Sequence, residues 1–266
     1  MSPKANGSQT HEQENWEDRP GDCRSLASIM KEHRIALERT IAFIDEHYQP
    51  IGTIASGTIV LGTAHPSSDL DMVVAHLPGW RQRHQRWENG VPVEIFVNPV
   101  AEIERTMQRD VESGRPVMIH MIATGIIVHD TNGAMRRLQH DVRQRLRGGP
   151  LVPDEALAAM RYATATECED ALDILQEDAD RAGAMATSSL LQAIRLRFLQ
   201  EGRWLPREKQ LLGALDDLDR DLGLACREAL RPIPAERVRL SQPIIEGITG
   251  SSRFFAWESS RQETCG

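Results

Sequence analysis

Asp69, Leu70 and Asp71 open an apolar run that continues through Met72, Val73 and Val74. Side chains on a strand alternate between faces, so Asp69 and Asp71 point one way and Leu70, Met72 and Val74 the other. Two carboxylates on one face repel each other. A core does not tolerate such a pair, and a surface sheet rarely wants one. A hard divalent cation held between them removes the repulsion and explains the spacing. A further acid lies downstream. Val91, Val93, Ile95 and Val97 alternate with Pro92, Glu94 and Phe96, which reads as a strand with Glu94 on its less apolar face. An acid flanked by Val93 and Ile95 is an odd surface choice unless it is used; the plainer reading is a solubilising charge on an edge strand.

Upstream of the pair, Gly57-Thr58-Ile59-Val60-Leu61-Gly62 is small and glycine-punctuated, and His65-Pro66-Ser67-Ser68 is a turn signal. Neither half is specific alone. A lone Asp-x-Asp is commonly a solvated strand edge. Gly-x-x-x-x-Gly suggests a P-loop only as far as Thr63 and Ala64, which stand where that motif needs Lys and then Ser or Thr. The conjunction, with a third acid downstream, is much rarer. The stretch resembles the signature of the DNA polymerase β-type nucleotidyltransferase superfamily: Gly-Ser, a short spacer with a second Gly, then Ser-Asp-x-Asp. Gly57-Thr58 stands for Gly-Ser, and Ser68-Asp69-Leu70-Asp71 for Ser-Asp-x-Asp. Gly62 and Pro66 sit where many small bacterial members have them. Thr58 departs from the pattern but keeps the hydroxyl. The likeness is closest to the minimal and aminoglycoside-type branch and runs from about residue 24 onward, more strongly in the first half.

The resemblance implies a specific chemistry. A nucleoside triphosphate, ATP being the expected one, binds with Mg²⁺. Backbone amides near Gly57 and the hydroxyls of Thr58 and Ser68 hold its phosphates. Asp69 and Asp71 bind one or two Mg²⁺ ions, which neutralise the α-phosphate and stabilise the leaving pyrophosphate. Glu94 matches the carboxylate that completes the site from the neighbouring strand, as a third metal ligand or as the base for the acceptor hydroxyl. Arg203-Trp204-Leu205-Pro206-Arg207-Glu208-Lys209 resembles a Trp-x-Pro-x-x-Lys element whose lysine faces the triphosphate, although Lys209 also suits an ordinary helix start. The implied activity is transfer of a nucleoside monophosphate onto a hydroxyl of a small molecule, an aminoglycoside-like acceptor among the candidates. Three rivals stand beside it. An antitoxin-like enzyme modifying a partner protein would commonly be much shorter. A non-catalytic nucleotide-binding module would not need Asp69, Asp71 and Glu94 together. A nucleic-acid end-extending enzyme fits poorly with the charge.

That charge is −8 over 266 residues, which disfavours nucleic acid as the main substrate and suits a cationic small molecule. The acid-rich stretch from Asp216 to Asp221 points the same way, by charge complementarity. A hydrophobic content of 40% and a mean hydropathy of −0.41 describe a globular protein. No run approaches the roughly 20 apolar residues of a membrane span, and no apolar secretory segment is visible at the N-terminus. Cys23, Cys168, Cys226 and Cys265 lack metal or redox spacing, which fits a reducing, cytoplasmic setting.

The elements that must position the acids follow from periodicity. Residues 1–22 are polar and read as a tail. From Ser25, the residues Leu26, Ile29, Met30, Leu37, Ile41 and Ile44 recur at helical spacing until Pro50. The first strand is Ile51 to Ser56, or else Ile59-Val60-Leu61. Pro78 to Gly90, with Trp80 and Trp87, reads as a polar loop. Asn98-Pro99 starts a helix carrying Ile103, Met107 and Val111. Val117 to Thr124 forms another, which Gly125 ends, and Ile126-Ile127-Val128 is a short strand reaching Asp130. Thr131 or Asn132 caps a helix with Met135, Leu138, Val142 and Leu146 on one face. His120, His129 and His140 share no ligand spacing and suit packing or surface roles. Gly148-Gly149-Pro150 is a linker signal. Beyond it the pattern is helical only: Pro153 to about Ala182, about Ala184 to Gln200, and Pro206 through Leu222. The last 25 or so residues are weakly patterned, with Phe254, Phe255 and Trp257 as candidate core plugs. The expected fold is α+β. Residues 23–149 form a small, mixed, twisted sheet with helices, and residues 150–266 a helical specificity domain.

Overall fold

A computed structural model describes residues 31–258. The polar tail, the start expected at Ser25, and Cys23 and Cys265 lie outside the described residues. The fold is α+β. The described residues divide into two compact units, one made of residues 31–98 together with Met121–His140, the other of Pro99–His120 together with residues 141–258.

The first unit is a five-stranded mixed sheet in the order β3-β4-β2-β1-β5. The strands are β1 (Gly52–Ser56), β2 (Leu70–His76), β3 (Gln82–Glu88), β4 (Val91–Pro99) and β5 (Ile126–Asp130). One face buries Leu70, Met72 and Val74 of β2 with Val91, Val93, Ile95 and Val97 of β4. Helix α1 (Lys31–Tyr48) covers this face with Ala36, Leu37 and Ile44. The period-2 expectation is thereby met, and the opposite parity, Asp71 and Glu94, is left for the other face. Gln139 is buried in the same unit, and its amide donates to the carbonyls of Ile122 at 2.8 Å and Gly125 at 3.0 Å.

Three expectations for this unit need correction. Ile59-Val60-Leu61 is not a strand. It lies in a single helical turn, α2 (Thr58–Leu61), because β1 ends where Gly57 turns the chain. Residues 78–90 are not one loop, since Gln82–Glu88 forms the edge strand β3, paired antiparallel to β4. The turn is Asn89-Gly90, both at positive φ (49° and 77°), as a two-residue hairpin requires. The cap of α5 (Ala134–Gly148) is neither Thr131 nor Asn132. Asp130 accepts from the backbone N–H of Met135 at 2.8 Å and of Arg136 at 3.4 Å.

The second unit holds α3 (Val100–Ser113), the start of α4 (Val117–Thr124), and a helical bundle. The bundle contains α6 (Asp154–Asp173), α7 (Ala179–Gln200), α8 (Leu211–Leu218), α9 (Arg220–Leu230) and α10 (Pro234–Thr249). Its core includes Leu190, Ile194, Leu215 and Ile245. The first long helix ends at Asp173 rather than near Ala182, because Asp178 caps α7 by accepting from Arg181 N–H at 3.0 Å. The run expected from Pro206 to Leu222 is likewise broken: Asp219 caps α9, accepting from Leu222 N–H at 3.0 Å. Helix α10 reaches into the stretch expected to be weakly patterned. Phe254 is not a core plug, being 66% exposed, although it and Phe255 pack edge-on against Tyr162. Burial pushes the Cys168 and Cys226 thiols up to about 11 and about 12, so neither is a thiolate at neutral pH.

One buried and one half-buried titratable group of this unit, Asp110 and His120, give a pH prediction. Asp110 accepts from Ile119 N–H at 2.9 Å, anchoring the start of α4. Burial pushes its carboxyl up to about 6, against the pull of the Ile119 and Met118 amides. Burial, with Arg207 adding, pushes the His120 imidazole down to about 4. The signs oppose. Native Asp110 takes up a proton that the unfolded chain does not hold, so its contribution is full below its ordinary range and lost as pH rises through 6. Native His120 refuses a proton that the unfolded chain takes, so its contribution is full above 6.5 and lost as pH falls toward 4. Relative to wild type, Asp110→Asn should therefore steepen the rise of stability from pH 4 to 6.5. His120→Gln should tilt the curve the other way. Urea denaturation at pH 4.5 and 6.5 checks both, and parallel curves for all three proteins would refute the assignment.

Candidate active site

The acids are brought together at the end of β1. There Gly57 adopts φ 91° and ψ 179°, a conformation essentially confined to glycine. A Cβ on Gly57 would lie 2.8 Å from Asp71 Oδ2, so a larger residue is excluded by the acid itself. The antiparallel register pairs Ser56 with Asp71 and fixes this approach. Across the sheet, β4 presents Glu94 on the same face. Each of Asp69, Asp71 and Glu94 offers a carboxylate oxygen within 4.8 Å of the others. Among the described residues this is the one His, Cys, Asp or Glu group of three that converges in this way. Asp69 is exposed, Asp71 half-buried and Glu94 buried at 9% exposure. Three hard oxygen donors, graded from solvent to interior, fit a hard divalent cation in chemistry and spacing.

Thr58 and Ser68, expected on the phosphates, are bonded to each other. Thr58 Oγ1 donates to Ser68 Oγ at 2.8 Å, and His65 N–H donates to the same oxygen at 2.8 Å. Ser68 N–H returns a bond to the His65 carbonyl at 2.9 Å. The turn before Asp69 is therefore cross-braced. With two donors on its oxygen, Ser68 has filled its lone pairs and keeps its own O–H to give. Lys209 lies in the second unit, exposed, in a 3-10 turn spanning Glu208–Gln210. Next to it, Glu208 is held below the usual carboxylate range by Arg195 and Arg115, whose guanidiniums donate to it at 2.7 Å each.

Sequence reasoning missed Arg83 and Gln85. Both stand on β3 at the parity that faces Glu94, and Gln85 is its direct cross-strand partner. Arg83 Nε donates to Glu94 Oε1 in an ion pair, and Gln85 Nε2 donates to the same oxygen at 3.0 Å. The hydrogen bond with Glu94, with the charges of Glu94 and Asp71 adding, pushes the Arg83 guanidinium further up from its already high range. The signal that could have found them is Asn89-Gly90, which sets two strands in hairpin register and so places residues 83, 85 and 87 beside 96, 94 and 92. A cleft of about 290 Å³ opens here, lined by Asp69, Glu94, Gln85, Pro92 and the indole-bearing Trp87. Trp87 is 72% exposed.

No family model matches the sequence, and no curated protein matches it. Among solved structures, the chain is similar to a nucleotidyltransferase-like protein from Exiguobacterium sibiricum 255-15, with a TM-score of 0.53 and 13% sequence identity. The match covers 82% of this chain and 74% of that one. The fold is nucleotidyltransferase-like. At this identity the likeness speaks to the fold, and the chemistry has to be argued from the residues of this chain. Within this nucleotidyltransferase-like fold, the acids read from the sequence converge on one face of the sheet, in its first unit. No helix among the described residues is long and apolar enough to cross a membrane.

Proposed function

We propose that this chain is a Mg²⁺-dependent nucleotidyltransferase that moves a nucleoside monophosphate, AMP from ATP, onto a hydroxyl of a small and cationic acceptor. The observation that carries the reading is the convergence of Asp69, Asp71 and Glu94 on one sheet face beside Gly57. Asp69 and Asp71 would hold the metal, with Glu94 as third ligand or as base. The bound ion would supply Lewis-acid stabilisation of the charge that develops on the phosphoryl oxygens.

The residues of the chain do the rest. Ser68 offers its O–H to a phosphate oxygen, and Thr58 keeps Ser68 turned toward the site. The acceptor oxygen forms a bond to the α-phosphorus as the bond to the bridging oxygen of the β-phosphate breaks. Pyrophosphate leaves, and the hydroxyl proton passes to Glu94 in its role as base. A cytoplasmic setting follows from the need for ATP.

Two measurements test the reading. Incubation with labelled ATP, Mg²⁺, an aminoglycoside panel and a cell lysate should label a small molecule. Labelling of a protein band instead would move the activity to a partner protein. Separately, Mg²⁺ and ATP together should raise the melting temperature, whereas either alone should do little, because the ion needs phosphate oxygens to complete its shell. At a hundredfold excess over the dissociation constant the expected stabilisation is about 2.7 kcal/mol. No joint shift at millimolar ligand would count against nucleotide binding of any kind.

A further inference from the structure

We propose that Arg83 is the resident counter-ion of the acid cluster, that a divalent cation displaces it, and that the freed guanidinium then binds the polyphosphate arriving with that cation. The inference rests on the reading of Asp69 and Asp71 as the metal pair, with Glu94 beside them as third ligand or base.

Three carboxylates within 4.8 Å of one another carry mutual repulsion that something must relieve. Arg83 relieves it. Its Nε sits on Glu94 Oε1, and it also feels the charge of Asp71. With Gln85 on the same oxygen, both lone pairs of Oε1 are in use. Glu94 therefore cannot turn that oxygen to a metal or to a proton until Arg83 gives way. The guanidinium is also a like charge next to any incoming cation.

The burial shows which partner moves. The Glu94 side chain is 12% exposed and the Arg83 side chain 63% exposed, so the arginine reaches in from solvent and can withdraw without opening the core. It has a place to withdraw to. Its guanidinium already lies 5.3 Å from the centroid of the Phe96 ring, its cross-strand neighbour. There it stays on the sheet face that carries Glu94. A planar guanidinium pairs with phosphate oxygens through two parallel N–H donors, which an ammonium cannot do.

The consequence is coupling. Metal alone competes with Arg83, and nucleotide alone meets the remaining negative charge of the carboxylates and an occupied arginine. Bound together, each removes the obstacle to the other, and the gain is the same viewed from either ligand.

The test is a titration of metal-free protein with Mn²⁺, followed by electron paramagnetic resonance, without and with the non-transferable analogue α,β-methylene-ATP. Without nucleotide, Arg83→Gln should bind Mn²⁺ about tenfold more tightly than wild type, on the scale of the one to three log units by which a neighbouring charge shifts proton binding. With Mn²⁺ present, the same variant should bind the analogue more weakly, so that the coupling collapses. Arg83→Lys should keep the metal competition and lose part of the analogue affinity. An Arg83→Gln protein with wild-type affinity for both ligands, or with weaker Mn²⁺ binding, overturns the proposal. Asp71→Asn is the control that separates the two readings. If it loses Mn²⁺ while Arg83→Gln changes nothing, the metal centre stands and the role of Arg83 falls. If wild type and Asp71→Asn bind Mn²⁺ alike, the metal centre itself is wrong.

Discussion

Asp69→Asn and Asp71→Asn should each abolish nucleotidyl transfer while leaving the folded, metal-free protein as stable as wild type. The loss follows from the work asked of a bound cation, several kcal/mol of charge stabilisation in the transition state. At about 1.4 kcal/mol per factor of ten, that is a fall of at least roughly 10³ in rate. The stability follows from the geometry. Each substitution removes one of several like charges crowded within 4.8 Å, and an amide fills the same volume. Asp71→Asn also keeps the contact with Gly57, whose backbone tolerates a side-chain atom there only because it has no Cβ. Rate assays and thermal denaturation on the same preparations check both halves. Near wild-type turnover in either variant removes that residue from the metal site.

Glu94→Gln should lower turnover by about 10² to 10⁴, the range for a lost general base. The substitution is close to a pure charge test, because the amide oxygen can still accept from Arg83 and Gln85. The base role predicts that MgATP affinity survives, since a base needs only to reach the acceptor hydroxyl. A metal-ligand role predicts that affinity falls with the rate. We expect the first outcome. Titration of MgATP binding beside the rate separates the two. A variant unchanged in both would make Glu94 an ordinary buried strand charge, paired to Arg83 and nothing more.

The parts of the site legible in the sequence are those where one physical rule acts alone. Alternation puts Asp69 and Asp71 on one face and Glu94 on the less apolar face of its own strand, the resemblance implies that the two faces are shared, and the core membership of Leu70, Met72, Val93 and Ile95 agrees with the alternation. Strand β3 was not legible, because Gln82-Arg83-His84-Gln85-Arg86-Trp87-Glu88 has no apolar alternation. It is an edge strand with polar residues on both faces, and its pairing is imposed by the Asn89-Gly90 turn and by β4. Missing it hid Arg83 and Gln85. Ile59-Val60-Leu61 misled in the opposite direction. An apolar run headed by the β-branched Ile59 and Val60 suggests extended chain, but Gly57 has already turned the backbone, and Thr63 N–H closes back onto the Thr58 carbonyl at 3.0 Å. In the helical half the apolar spacing was visible and the breaks were not. Asp178 and Asp219 cap helices from inside acidic runs, with no glycine or proline beside them to mark the boundary.

The most direct test of the central claim is to follow two labels at once. ATP labelled at the α-phosphorus and ATP labelled at the γ-phosphorus are incubated in parallel with the protein, Mg²⁺ and the acceptor panel with lysate. Nucleotidyl transfer predicts that the α label enters the acceptor and the γ label appears only in pyrophosphate. Both signals should vanish with chelator and with Asp71→Asn. Transfer of the γ label to the acceptor, or label incorporation that survives chelation and Asp71→Asn, would contradict the account.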